Sequence, residues 1–161
     1  MKKETLILLQ EYLINRIEIM EAKQFIPIKG IRKHLAIISE KRLLKKHFPF
    51  LKTQLKHGKL LCNGYFQPSE YSPKYHYRIE WEPGFSPKVF PTSPKIDYDD
   101  DIHMYMDGSL CLYYPKDFVF NSKTSHIFDT ILPWTHEWFV FYELYQIKGK
   151  WLHPYVEHKK I

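Results

Sequence analysis

Apolar residues between positions 4 and 22 recur at spacings of three and four (Leu6, Leu9, Leu13, Ile17, Met20), which predicts an amphipathic helix. Pro27 and Gly30 interrupt that pattern and set a break. Ser39 suits the N-cap of a second helix running to about His47, with Pro49 ending it. The period then changes to two. Leu60–Phe66 is a short apolar run closed by Pro68-Ser69, and Tyr75, Tyr77, Ile79 and Trp81 alternate with His76, Arg78 and Glu80. That alternation predicts a half-buried antiparallel strand. Glu82-Pro83-Gly84 is a turn signal, and Lys88–Pro91 is a third, shorter strand candidate that Pro87, Pro91 and Pro94 confine to an edge. Residues 95–108 read as polar and irregular, with Asp97 and Asp99–Asp101 among them. A last helix opens near Pro133 and closes before Gly149, each suited to its end. On it Trp134, Trp138, Tyr142 and Tyr145 form one aromatic stripe, read as core packing against the sheet. Helix, a three- or four-strand meander, an irregular stretch and a helix make an α+β arrangement. The expected division is a helical extension over residues 1–38 and the main domain over 39–161.

Composition narrows the class. The 161 residues are 44% apolar and 26% charged, the balance of a globular chain and not of a disordered one. Aromatics reach 17%, so large rings fill much of the core. No run approaches the ~20 apolar residues of a membrane span, and two cysteines are too few for a disulfide scaffold or a four-cysteine zinc site. The expectation is a cytoplasmic protein without membrane contact. Charge is uneven: residues 1–60 hold 14 Lys and Arg against 5 Asp and Glu, and residues 61–161 hold 10 against 13. The densest basic stretch, Lys41 to His47 with Lys52, Lys56 and Lys59 beyond it, reads first as a solvated helix face. An acidic protein partner is the next reading, and nucleic acid is disfavoured because no recognition signature accompanies the charge.

The stretch that carries chemistry is His103-Met104-Tyr105-Met106-Asp107-Gly108-Ser109-Leu110-Cys111-Leu112-Tyr113-Tyr114-Pro115. A lone cysteine is as often a small buried hydrophobe as a reactive group. Cys111, however, follows an Asp107-Gly108 loop, lies between two leucines and stands eight positions after a histidine. A thiol on such a segment can be half exposed beside polar groups. Cys62, inside the first strand run, reads as packing. His153-Pro154 with His158 is too sparse for a metal site.

This stretch resembles the active-site segment of ubiquitin-conjugating enzymes, in which a His-Pro-Asn tripeptide precedes a Gly-x-x-Cys-Leu run. Here the counterparts are His103-Met104-Tyr105 and Gly108-Ser109-Leu110-Cys111-Leu112. Leu110-Cys111-Leu112-Tyr113-Tyr114-Pro115, then Asp129-Thr130-Ile131-Leu132-Pro133-Trp134, Glu137-Trp138 and Phe141-Tyr142-Glu143 are similar to bacterial members of that superfamily. Those members stand in antiphage operons beside cGAS/DncV-like nucleotidyltransferases. The resemblance spans about residues 40–155 and leaves the N-terminal helix unexplained. It implies a ubiquitin-conjugating-like fold. It also implies a catalytic Cys111 that accepts an activated protein C-terminus as a thioester and passes it to an amine, with no metal or organic cofactor. The implied cargo is the C-terminus of the neighbouring nucleotidyltransferase. ATP would be spent upstream by an activating enzyme, since this chain has no GxxxxGK phosphate loop.

The departures bear on the site. Tyr105 stands where the family has its asparagine, and the histidine-to-cysteine gap is about two residues shorter than in eukaryotic relatives. Tyr105 or a backbone N–H near Cys111 is the candidate donor to the oxyanion. His103 reads as a support that bonds backbone, not as a general base. A partly ionised Cys111 would need no strong base, while an attacking lysine must lose a proton, to Asp107, Asp117 or Asp129. Asp129 reads first as support for the N-terminus of the last helix. His136 and Glu137 are placed to reach the rim of the site. Two rivals remain: a papain-like hydrolase pairing Cys111 with His126 or His136, and a catalytically silent module of the same fold that recruits the nucleotidyltransferase.

Overall fold

The computed structural model describes residues 29–154, and the expected helix over 4–22 lies outside them. The chain divides into two compact units, Met1–Leu35 and Ala36–Ile161. Of the first, the described part is the opening of helix α1 (Lys29–His47). The sheet, the last helix and the site belong to the second.

Helix α1 runs through Ser39 instead of starting there. Ser39 is exposed in mid-helix, while Ile37, Glu40 and Leu44 are buried at spacings of three and four. Burial of that stripe decides the helix, and Gly30 falls in its first turn, where a glycine costs little. Lys45, Lys46 and His47 occupy the last turn, where cations meet the negative end of the helix dipole.

Four strands follow as an antiparallel meander: β1 (Lys52–Lys56), β2 (Lys59–Phe66), β3 (Tyr75–Trp81) and β4 (Lys88–Ser93), in spatial order β1-β2-β3-β4. The first was not singled out by the residue pattern, because β1 is mostly exposed and polar and shows no alternation. Its link to β2 is the two-residue turn His57-Gly58, both at positive φ (49° and 72°), as a type I′ hairpin turn requires. Strand β3 coincides with the alternating stretch and buries Tyr75, Tyr77, Ile79 and Trp81 on one face. Strand β4 pairs with β3 despite Pro91. A register shift between His76 and Tyr77 sets Thr92 outside the pairing, and the position at the end of the meander tolerates the missing N–H.

Helix α2 (Ile131–Lys148) closes the core over the buried face of the sheet. Ile131, Leu132, Thr135, Trp138 and Phe139 are buried, and Phe139 stacks on Tyr75 with ring centroids 4.8 Å apart. Full burial of each large side chain is worth roughly 1.5–3 kcal/mol. The aromatic stripe packs as expected: Trp138 is buried and Trp134, Tyr142 and Tyr145 lie against the core. Gly149, at φ 66°, ends the helix by donating its N–H to the Tyr145 carbonyl. Among the described residues the arrangement is α+β, a four-stranded antiparallel sheet with two helices.

Two polar residues tie the layers. Glu40 on α1 accepts hydrogen bonds from the Ile127 N–H and pairs with His126 Nδ1 at 3.0 Å, bridging to the segment before α2. Burial pushes the Glu40 carboxyl above its ordinary range, against the pull of the His126 hydrogen bond. His136 on α2 bonds the Tyr77 hydroxyl at 2.9 Å and stacks on Phe66 with centroids 4.3 Å apart.

Candidate active site

Beyond β4 a 3-10 turn, Asp100–Ile102, is capped by the Asp99 side chain, which accepts from the Asp101 N–H at 2.9 Å. His103 follows in the left-handed region (φ 57°), donating its N–H to the Asp100 carbonyl. That bend turns the chain into a short hairpin. Met104 bridges Leu110, the Tyr105 N–H bonds the Ser109 carbonyl at 2.8 Å, and the Gly108 N–H bonds the Tyr105 carbonyl at 2.8 Å. Gly108 at φ 82° supplies the left-handed position that a three-residue hairpin loop needs. The Cys111 N–H then donates to the His103 carbonyl at 2.9 Å.

Asp107 locks the loop. One of its oxygens accepts from the Ser109 N–H at 3.0 Å and hydroxyl at 2.6 Å; the other accepts from Lys88 Nζ at 2.6 Å. Lys88 and Ser109 hold its carboxyl down to about 2, so Asp107 is a structural anion and a poor proton acceptor. The Leu110 N–H bonds the Val89 carbonyl at 2.8 Å, which pins the hairpin to β4. Met104 and Leu110 are buried, so the alternation of an extended chain turns Tyr105 and Cys111 outward.

The Tyr105 hydroxyl lies 3.4 Å from Cys111 Sγ, and the Tyr113 carbonyl lies 3.7 Å from it. Cys111 is half-buried, in contrast to the fully buried Cys62. Burial pushes the Cys111 thiol upward and the nearby Asp100 charge adds to this, while Tyr105 and the Tyr113 backbone work against it. The balance favours the thiol over the thiolate, and the Tyr105 hydroxyl is the donor at hand to steady the thiolate when it forms. Tyr105 itself is pushed up, chiefly by desolvation and then by the sulfur.

Cys111 and His103 line one cleft of about 380 Å³ together with Tyr113, Asp117, Glu137 and three tryptophans, Trp134, Trp138 and Trp151. A second cleft of about 470 Å³ adjoins it through Leu112 and Tyr113 and has Lys88, Tyr105 and Phe118 on its wall. Of the residues singled out from sequence, Cys111, His103 and Tyr105 come together, and Glu137 reaches the site as expected. His136 does not; it is held by Tyr77 and Phe66, and burial lowers it to about 4. His126 is held by Glu40. The Cys–His pair of a thiol hydrolase is therefore not assembled from either histidine. Asp129 accepts from the His126 N–H at 3.2 Å in the turn before α2, and Thr130 at the N-cap makes no side-chain cap.

Trp151 and His153 were missed as parts of the site. They follow Gly149 on a stretch without periodicity, so only the return of the chain brings them to it. Trp151 is 8% exposed and packs near His103, Trp138 and Phe141. His153 Nε2 stands 3.5 Å from Glu137 Oε1. Among the described residues no group of His, Cys, Asp and Glu is arranged to hold a metal, and no helix is long and apolar enough to cross a membrane.

A family model described as Type II CBASS E2 protein matches residues 40–159, from the buried Glu40 to beyond the tryptophan cleft. A search of curated proteins finds no match. With most of the chain matched, the protein belongs to the Type II CBASS E2 family, the ubiquitin-conjugating-like proteins of bacterial antiphage CBASS signalling.

Proposed function

We propose that Cys111 carries a protein C-terminus as a thioester and passes it to an acceptor, within a ubiquitin-conjugating-like domain over residues 39–161 preceded by an extension over 1–38. The donor, by the resemblance set out above, is a cGAS/DncV-like nucleotidyltransferase in the same cytoplasm, activated by a separate enzyme, and the conjugation tunes its signalling during phage attack. The observation that carries this reading is the half-exposed Cys111 with the Tyr105 hydroxyl 3.4 Å from its sulfur.

The chemistry follows from that pair. The thiol gives its proton to solvent as its sulfur attacks the activated carbonyl carbon; the C–S bond forms and the activating group leaves. A negative charge develops on the carbonyl oxygen, two bonds away from the sulfur, within reach of a Tyr105 hydroxyl donor. His103 serves through its main chain, holding the Cys111 N–H and thus the direction of the thiol. No cofactor is needed, because the acyl group arrives activated.

A second reading, a silent module that recruits the same synthase, is favoured by the upward push on the thiol and by Tyr105 in place of the family asparagine. Intact-mass analysis of the protein co-expressed with its genomic neighbours and quenched in acid separates the two. A heavier species, cleaved by thiol reductant and absent in Cys111→Ala, supports the carrier. Unmodified protein, with binding to those neighbours kept in Cys111→Ala, leaves the module.

A further inference from the structure

The pleat of a strand sends alternate residues to opposite faces, so the sheet has a second face opposite the one that α2 covers. The strand register sorts its residues into rows. Lys52, Asn63, Arg78 and Phe90 stand side by side across the four strands, and Tyr65 with His76 belongs to the next row. Cross-strand neighbours of this kind lie about 5 Å apart. Tyr65 is 41% exposed, and Lys52, Asn63 and His76 are exposed as well, so both rows meet solvent. Phe50, Tyr65 and His76 follow one another as a strip of rings, with centroids 5.4 and 5.9 Å apart.

Cations surround these rings. Lys74 Nζ stands 5.2 Å from the Tyr65 ring centroid, and the Arg78 guanidinium carbon 5.3 Å from that of Phe90. Lys52, Lys56 and Lys59 add exposed charges to the same face, none of them ion-paired among the described residues. Glu80 is the one carboxylate at the outward positions of the four strands, and Arg78 Nε donates to it at 2.8 Å.

Rings interleaved with cations discriminate between polyanions. A carboxylate is drawn to lysine but meets the negative face of a ring unfavourably. A nucleobase stacks on that face while its phosphates reach the cations. In a duplex the base faces are hidden in the stack, so a platform of rings gains nothing from it.

We propose that this open sheet face binds single-stranded nucleic acid, with unpaired bases stacked on Tyr65, His76 and Phe90 and phosphates led past Lys52, Lys59 and Lys74. Four strands at the usual spacing span about 14 Å, room for roughly two or three stacked bases. The chain shows no linear signature of such a surface, because its rings come from three different strands and meet only through register. Tyr65, His76 and Phe90 line neither cleft beside Cys111, so the proposal stands apart from the thioester reading.

The test is fluorescence anisotropy of the full chain with a labelled oligothymidylate of about 15 nucleotides, the upper end of the usual single-strand footprint. Binding should saturate and weaken as salt rises. It should be about tenfold weaker for an abasic strand of equal length, and about tenfold weaker in Tyr65→Leu and in Phe90→Leu, the scale of one lost stack. Tyr65→Trp, which keeps a stacking surface, should bind at least as well as the parent, so loss in the leucine variant is not mistaken for misfolding. Lys52→Ser with Lys59→Ser on the face should cost more affinity than Lys45→Ser with Lys46→Ser on α1, although each pair removes the same charge. Equal binding of the abasic strand, or unchanged affinity in both leucine variants, overturns the stacking platform. Equal loss from the two lysine pairs reduces the contact to net charge and overturns the face. Polyglutamate that competes as well as the oligonucleotide, phosphate for carboxylate, assigns the face to an acidic protein instead. Absence of binding at low salt overturns the proposal outright.

Discussion

Tyr105 is the residue on which the chemistry turns, because its hydroxyl stands 3.4 Å from Cys111 Sγ, accepting from the thiol and able to donate once the sulfur is charged. If it steadies the thiolate, Tyr105→Phe removes that donor and leaves only the Tyr113 backbone to oppose burial and the Asp100 charge. Alkylation of Cys111 by iodoacetamide at pH 8 should slow by roughly three- to tenfold, the worth of a hydrogen bond to a charged sulfur in a half-exposed setting. The pH midpoint of the reaction should move upward. An unchanged profile would mean that the hydroxyl points elsewhere in solution. Gly64 makes a different demand. A Cβ there would collide with the Leu51 side chain and come within 2.9 Å of the Tyr77 ring, with no positive φ to complicate the reading. Gly64→Ala should cost about 1–3 kcal/mol as overpacking, read by urea unfolding.

Between elements, the contact of α2 with the sheet carries a pH dependence. His136, stacked on Phe66 and bonded to Tyr77, sits at about 4 in the folded chain against an ordinary value of about 6.5. Between those limits the unfolded chain binds more protons. The neutral ring therefore contributes its full stability above about 6.5 and loses it as pH falls toward 4. The loss is at most about 3 kcal/mol and smaller for a ring that is not wholly dry. Glu40 is shifted the other way by its burial and opposes this slope, so the informative readout is a difference between proteins. In His136→Phe the decline of the thermal midpoint from pH 6.5 to 4 should be visibly flatter than in the parent. Parallel curves would show that the histidine takes up its proton without disturbing the α2–sheet contact.

Across the whole molecule, the segment after α2 returns to the hairpin that carries Cys111. Trp151 fills the space among His103, Trp138, Phe141 and Tyr145. Trp151→Ala should destabilise the protein by about 3–5 kcal/mol, as loss of a buried indole does, and should alter the near-ultraviolet circular dichroism of the remaining tryptophans. It should also loosen the cleft that Cys111 shares. A variant with full stability would place Trp151 outside the core in solution.

Much of this was legible in the order of residues. The alternation from Tyr75 to Trp81 specified β3 because one face of a pleated strand must meet the core, and Gly149 marked the end of α2 because a left-handed residue closes a helix. Asp107-Gly108 announced a tight loop, and Cys111 with its flanking string pointed to the family. Local signals of this kind depend on neighbours in sequence. Strand β1 escaped notice because an exposed strand needs no hydrophobic alternation, and its hydrogen bonds come from a partner strand. Ser39 does not start helix α1, because a good capping residue cannot compete with burial of Ile37, Glu40 and Leu44 on one stripe. The cleft was less legible still. Tyr105 meets Cys111 across a hairpin, and Glu137, Trp151 and His153 arrive from a helix and from the chain beyond it. Residues that far apart in sequence share a surface only when the core has folded, since burial of the sheet against α2 is what sets their spacing.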